Sequence, residues 1–287
     1  MFSFQNNNLL PILPNIRNPT NNSSILFTNA RDEPNIAEWV AHHLLLGFDK
    51  IVIFDHLSVI PITSTIGSNF NGKLTIIPVN DSGNIKLKLM NDALDIASRE
   101  NFGWLLYLDA DEYINLNRFN SIKEFLVYFK ETDSIGINWL MFGTSGHINQ
   151  PKGLLTDNFI TSELFLDQHV KSFVRPISAV RADNPHFYIV NPNSRCYCGN
   201  GTKMSMGPFN KQIMPFHRAP IYIAHYYTQS EEEHLRRKSR VLDDGTINKS
   251  SCFPEVHNVY NKVPNLQLKN KYSVKISAFL KEYNINI

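Results

Sequence analysis

A mixed α/β fold built on a mostly parallel sheet is what this sequence predicts. Three observations carry the expectation. Short apolar runs rich in β-branched residues alternate with stretches of helical spacing through the first half of the chain. Two of those runs end in aspartate, Asp55 and Asp109, and in such sheets ligands gather beyond the carboxyl ends of the strands. With 287 residues, 43% of them hydrophobic, the chain can also bury a large core.

Taken in order, SILFT (Ser24 to Thr28) reads as a short buried strand. A helix follows in NARDEPNIAEWVAHHLLLGFDK. Pro34 suits its first turn, Asp32 and Glu33 favour its positive end, and Ile36, Val40 and Leu44 share a face until Gly47 closes it. KIVIFDH (Lys50 to His56) and KLTIIPV (Lys73 to Val79) are the next two strands. Ile85 to Glu100 is helical, Trp104 to Leu108 is a fourth strand, Asn120 to Lys130 a further helix and Ile135 to Phe142 a further strand. The second half is less regular. It carries strand-like pieces, VKSFVRPI and PIYIAHYY, and a charged helix from Ser230 to Leu242. The simplest division is an irregular lead-in over 1–23, one domain over 24–245 and a C-terminal extension over 246–287.

A net charge of +2 argues against a nucleic-acid binder. Three cysteines, two of them in a CYC step, form neither a disulfide framework nor a four-thiolate zinc site, which suits a reducing compartment. No run is long enough to span a bilayer, and the N-terminus lacks the basic and apolar regions of a signal peptide. A cytoplasmic location is the expectation.

The most unusual stretch is WLLYLDADEY, Trp104 to Tyr113. An apolar run passes straight into Asp109, Asp111 and Glu112, and like charges at that spacing repel. On that ground alone, Asp111→Ala should leave stability unchanged or raised in metal-free buffer. Either something positive sits there, or the carboxylates lie in water. A hard divalent cation is one answer, because two carboxylates two positions apart can grip it from one side and leave places for substrate phosphates.

At this point the chain resembles the GT-A-fold glycosyltransferases of the family 2 and family 92 type. The resemblance rests on several segments in order: RDEPNIAEWVAHHLLLGFD, IVIFDHLS, WLLYLDADEY, WLMFGTSGH, VKSFVRP and HYYTQSEEEHLRRK. Together they run from about Thr28 to Arg240 and are far more specific than any one alone. Asp32 stands where the family usually has Asn, and Gln229 where Lys is common.

The resemblance implies a GT-A, Rossmann-like nucleotide-sugar-binding sheet flanked by helices, with a less regular acceptor-side half. It implies that Asp111 holds a manganese or magnesium ion, and that Asp109 is a second ligand or a contact to ribose or a metal-bound water. His225 is the implied third ligand, imidazole being a good ligand for manganese. Asp55 would contact the base or ribose of a uracil-type nucleotide. Thr28, Arg31 and Glu33 would lie along the nucleotide's path, and Lys238 and Arg240 would close over the diphosphate. Glu112 is expected to orient a ligand or cap the turn, and Glu38 and Trp39 to pack their helix on the sheet.

The expected activity is metal-dependent transfer of a hexose from a nucleoside-diphosphate sugar, UDP-linked by default, to a hydroxyl of a glycan, protein or lipid acceptor, with inversion. Inversion needs a base near that hydroxyl. Asp157 is the first choice, Glu163 the second, and His147 would line the acceptor pocket. Two rivals remain at this stage. One is a non-catalytic carbohydrate- or partner-binding protein that kept the fold. The other is a nucleotidyltransferase, which usually carries a Gly-rich lysine loop near its start, absent from LFTNARDEPN.

Overall fold

The computed structural model describes residues 21–67, 70–211, 213–238 and 259–285. The chain begins with β1 (Ser24–Ala30), α1 (Ile36–Leu46), β2 (Lys50–His56), α2 (Ile62–Ile66), β3 (Leu74–Val79), α3 (Lys86–Arg99) and β4 (Trp104–Tyr107). After a tight turn come β5 (Glu112–Leu116), α4 (Ile122–Tyr128), β6 (Ser134–Met141), α5 (Leu155–Asn158), β7 (Thr161–Ser162) and β8 (Val170–Val174). The hairpin β9 (Ala179–Asn184) and β10 (Phe187–Val190) precedes β11 (Cys196–Cys198), β12 (Ile221–His225), α6 (Glu231–Lys238), β13 (Val263–Pro264) and α7 (Gln267–Glu282).

The main sheet runs β3-β2-β1-β4-β8-β6-β12-β5, with β11 also paired to β6. Strands β3, β2, β1 and β4 are parallel, as are β6, β11 and β12, whereas β8 and β5 run antiparallel to their neighbours. The mostly parallel sheet expected from the alternation is therefore present. Pro78 sits in β3, at one edge of the sheet, where its missing N–H costs no ladder bond.

Apolar side chains on the two faces form two cores. One joins α1, α4 and α7 to the sheet through residues such as Trp39, Val40, Phe125, Leu268 and Ile276. The other packs α3 and the β9–β10 hairpin over Phe27, Phe54 and Tyr107. Gly47 closes α1 with φ 98°, a left-handed conformation open to glycine, and its N–H bonds the Leu44 carbonyl at 3.1 Å.

The sequence reading missed β5 and α7. Every residue of EYINL in β5 is buried, so no polar-apolar alternation marks it. Helix α1 covers this edge strand: Trp39 Nε1 donates to the Glu112 carbonyl at 2.8 Å, and His42 Nε2 lies 2.8 Å from the Ile114 carbonyl. Helix α7, within the stretch expected to be an extension, buries Leu268, Tyr272, Ile276 and Leu280 against the same core. Among the described residues, no helix is long and apolar enough to cross a membrane. Cys196 and Cys198 are free buried thiols.

Arg175, directly after β8, ties the sheet to three loops. Its guanidinium donates to the carbonyls of Thr132 (2.8 Å) and Lys130 (2.7 Å) in one loop, Asn21 (3.2 Å) in a second and Gly103 (3.4 Å) in a third, and lies 4.1 Å from the Trp104 ring centre. Replacing it by Met strands those carbonyls in a buried setting. Arg175→Met should lower unfolding free energy by about 3 kcal/mol in a urea titration; a change within error would mean that water replaces the guanidinium freely.

Candidate active site

Strand β4 ends at Tyr107, and the Leu108 N–H still bonds the Phe27 carbonyl of β1 at 3.0 Å. The chain then turns through Asp109, Ala110 and Asp111 into β5. Glu112 Oε2 closes the turn by accepting the Asp109 N–H at 2.9 Å. Glu112 is fully buried and leaves Oε1 without a hydrogen-bond partner. Burial raises its carboxyl above the usual range, against the opposing charge of Lys171.

The positive charge demanded by this cluster comes from the chain itself. Lys171 of β8 is 1% exposed, and its ammonium donates to Asp109 Oδ2 at 2.8 Å and to the Pro185 carbonyl at 3.1 Å, with Glu112 Oε1 at 3.7 Å. Lys86, the first residue of α3, takes the other oxygen of Asp109. Burial, aided by the charge of Lys171, pushes the Lys86 ammonium down to about 7. Arg237 reaches across from α6 to Asp111 Oδ2 at 2.7 Å. Burial would raise the Asp111 carboxyl, but the charges of His225 and Arg237 outweigh it and hold the group well below the usual carboxylate range.

Sheet register brings His225 to the same place. It ends β12 opposite Glu112 of β5, and its Nε2 stands 3.6 Å from Asp111 Oδ1. Its ring packs on Trp139 of β6, centres 4.4 Å apart. The 3.6 Å between His225 Nε2 and Asp111 Oδ1 is too long for a good hydrogen bond and suits two ligand atoms facing a shared cation. Asp111 and His225 could thus hold a divalent ion whose remaining ligands would have to come from substrate and water. Asp109 does not share in this arrangement, because both of its oxygens are held by lysines. Among the described residues, no group of three His, Cys, Asp or Glu side chains is spaced to hold a metal by itself.

The remaining expected nucleotide-side residues are spread over β1, the loop after it, the end of β2 and the end of α6. Glu33 is half-buried near Arg237 and Asp111; burial pushes its carboxyl up to about 7, with Asp111 adding to the rise and Arg237 opposing it. Thr28 is fully buried on β1, and Arg31 is half-buried just beyond it. Asp55 accepts the Ile62 N–H at 2.8 Å at the start of α2 and keeps its other oxygen buried without a partner. Lys238 ends α6 with its ammonium 5.1 Å from the Tyr227 ring centre; Arg240 lies outside the described residues.

The two expected bases sit elsewhere. Asp157 is on α5, and its carbonyl accepts Lys269 of α7 at 3.1 Å. Glu38, 1% exposed, holds that segment by accepting the Leu155 and Thr156 N–H groups at 2.6 and 3.0 Å and the Thr156 hydroxyl at 2.7 Å. It therefore clamps α5 to α1, while Trp39 secures α1 to β5. The Glu163 N–H bonds the Met141 carbonyl at 2.9 Å, and Met141 is the register partner of His225. Burial raises the Glu163 carboxyl, with Lys262 opposing. His147 lies 3.1 Å from the Asn158 carbonyl through Nε2.

Sequence reasoning assigned no role to Lys86, Lys171 or Arg237. A lysine inside an apolar strand and another opening a helix were the available signals, since a cation at a helix N-terminus opposes the macrodipole unless an anion accompanies it.

The sequence model of Glycosyltransferase family 92 matches residues 24–238. The chain belongs to this family. No curated protein matches the chain significantly. Among solved structures, the chain is similar to a putative glucose-1-phosphate thymidylyltransferase from Bacillus anthracis in complex with sucrose (11% identity, 46% of this chain and 60% of that one, TM-score 0.31). HddC from Yersinia pseudotuberculosis complexed with GMP-PN is another (12% identity, 57% and 80%, TM-score 0.33). A third is UTP-bound UGPase from Acinetobacter baumannii (11% identity, 54% and 74%, TM-score 0.31).

The contacts of Asp111 reverse the stability expected from repulsion alone. Asp111→Ala removes the carboxylate nearest to Arg237 and His225 and leaves the half-buried guanidinium with the Tyr227 carbonyl and the more distant Glu233, at 3.8 Å. It should lower stability in metal-free buffer at pH 7 by about 2 kcal/mol. The sign with pH follows from the depressed carboxyl: its contribution is present above the unfolded value near 4 and fades as pH falls through the lower folded value. Wild type and variant should therefore converge on acidification, as measured by thermal melts from pH 7 downwards. An equal or higher melting temperature for the variant at pH 7 would restore the repulsion argument.

Proposed function

We propose that the chain is a GT-A-type glycosyltransferase that moves a hexose from a nucleoside-diphosphate sugar to a hydroxyl of a glycan, protein or lipid, with inversion. The observation that carries this reading is the meeting of Asp111 and His225 beside Lys86, Lys171 and Arg237, at the carboxyl ends of parallel strands, in a family 92 chain. Such a place accepts an anionic diphosphate. UDP is the proposed nucleotide, following the resemblance, with Asp55, Thr28, Arg31 and Glu33 along its path.

Asp111 and His225 would hold a manganese or magnesium ion. When bound, that ion would supply charge to the departing diphosphate. Lys86 and Lys171 keep Asp109 and Glu112 in place, so the turn presents Asp111 in one orientation. Arg237 is positioned on α6 to exchange Asp111 for a phosphate oxygen, to which a guanidinium donates equally well.

One observation favours a second, metal-independent version of the same chemistry. Three cationic side chains already converge on the turn, and they could neutralise a leaving diphosphate unaided. The deciding test incubates the protein with a panel of nucleotide sugars and acceptors, with manganese or with EDTA, and measures released nucleoside diphosphate. The absence of release under both conditions would overturn the proposal.

Calorimetry gives the matching binding prediction. UDP should bind at least about tenfold more tightly with manganese than in EDTA, and better with manganese than with calcium, because the site mixes imidazole and carboxylate. His225→Ala should remove most of that difference without unfolding the protein. Equal UDP affinity with and without metal would favour the lysine and arginine version.

A further inference from the structure

Asp167 and His169 form a carboxylate–imidazole pair outside the acidic turn. Asp167 Oδ1 accepts the His169 N–H at 2.8 Å and faces His169 Nδ1 at 2.6 Å. The pair is pinned to β6: the Asp167 N–H donates to the Trp139 carbonyl at 2.8 Å, and the Trp139 N–H to the His169 carbonyl at 3.0 Å. Asn138 Nδ2 adds a bond to the Asp167 carbonyl at 2.9 Å. The imidazole stacks on the Trp139 indole, with ring centres 5.3 Å apart and planes at 25°, and Phe209 lies edge-on at 4.8 Å. Yet both side chains keep about a third of their surface open, at 35% and 37%.

Register places this pair beside the acidic turn. His169 faces Trp139 across the β8–β6 ladder, and His225 packs on the same indole from β12. Two strand spacings, about 10 Å, separate the two imidazoles along the sheet. A third histidine, His186 in the β9–β10 turn, lies 5.4 Å from His169, and the Lys171 ammonium is 5.8 Å from the indole centre. This is a short row of polar and aromatic groups leading away from Asp111 and His225.

An ionised carboxylate can only accept, so Nδ1 of His169 carries the proton and Nε2 presents a lone pair. We propose that His169, oriented by Asp167, is the general base for the acceptor hydroxyl. The inference rests on the glycosyl-transfer reading. As the acceptor oxygen bonds to the sugar C1, its proton passes to His169 Nε2. The bond from C1 to the diphosphate oxygen breaks, and the electron pair leaves with the nucleoside diphosphate. Asp167 stabilises the imidazolium so formed. Asp157 and Glu163 are then not the base.

The test uses the full chain with a donor and acceptor that the wild type accepts. His169→Ala should lower kcat by about 10²–10⁴-fold, with UDP affinity and melting temperature near wild type, and added imidazole should restore part of the loss. Asp167→Asn separates chemistry from structure, because the asparagine oxygen can still accept the His169 N–H while no longer stabilising an imidazolium. It should cost at least about tenfold in kcat. If His169→Ala stays within about twofold of wild type, the base lies elsewhere and the proposal falls. Loss in His169→Ala without imidazole rescue, beside a fully active Asp167→Asn, would likewise overturn it in favour of a packing role. Should His169→Ala fail to fold, Asp167→Asn decides alone. A wild type that transfers nothing to any acceptor overturns the glycosyl-transfer reading and the base with it, whereas an active wild type with active variants overturns the base only.

Discussion

The neutralisation of Asp109, Asp111 and Glu112 by side chains from distant parts of the sequence is the constraint on which the rest of this structure depends. Carboxylates held within four positions and largely withdrawn from water are tolerable only if cations accompany them. Those cations arrive from α3, β8 and α6. The acidic turn is therefore complete only when the first half of the chain has met the second. Lys171 shows the dependence in the other direction too, since an ammonium 1% exposed could not persist without Asp109, Glu112 and the Pro185 carbonyl. Neither partner would be stable alone; each makes the other's burial possible.

The antiparallel insertion of β8 makes this meeting possible. In a wholly parallel sheet, every strand beside β4 would send its carboxyl end to the ligand rim. β8 runs the opposite way between β4 and β6, so its beginning lies at that rim. Lys171, near the start of β8, then stands beside Asp109, and the Asp167–His169 segment just before β8 stands beside Trp139. β12 returns parallel to β6 and delivers His225 at its end, and β5 runs back from the acidic turn beside it. One reversed strand thus collects residues from both halves along a single edge of the sheet.

Much of this fold was legible because its elements are locally consistent. The strand KIVIFDH runs from Lys50 to His56 as its pattern implies, and Gly47 ends α1 by the conformation expected of it. Strand β5 was hidden because burial of every residue erases the alternation on which strand reading depends. The acidic turn was visible as an anomaly, but its partners were not. Arg237 lies in EEEHLRRK, a run that normally reads as a solvated helix face, and only the tertiary placement of α6 turns it towards Asp111. Repulsion among the carboxylates was a sound inference from the sequence alone. It fails in the folded chain because the nearest charges are positive.

Charge balance also bears on how the proposed ligands would enter. Asp109, Asp111 and Glu112 are matched by Lys86, Lys171 and Arg237, so the empty turn carries little net charge. A divalent ion arriving alone would unbalance it in one direction, and a diphosphate arriving alone in the other. Arriving together they leave the balance as it was, and Arg237 can pass from Asp111 to a phosphate oxygen without losing an anionic partner. On the proposed reading, metal and donor therefore favour each other's binding, and linkage requires that each raise the other's affinity by the same factor. Arg237, which makes Asp111 stable in the free protein, would then hold the diphosphate once the ion had taken its place on Asp111.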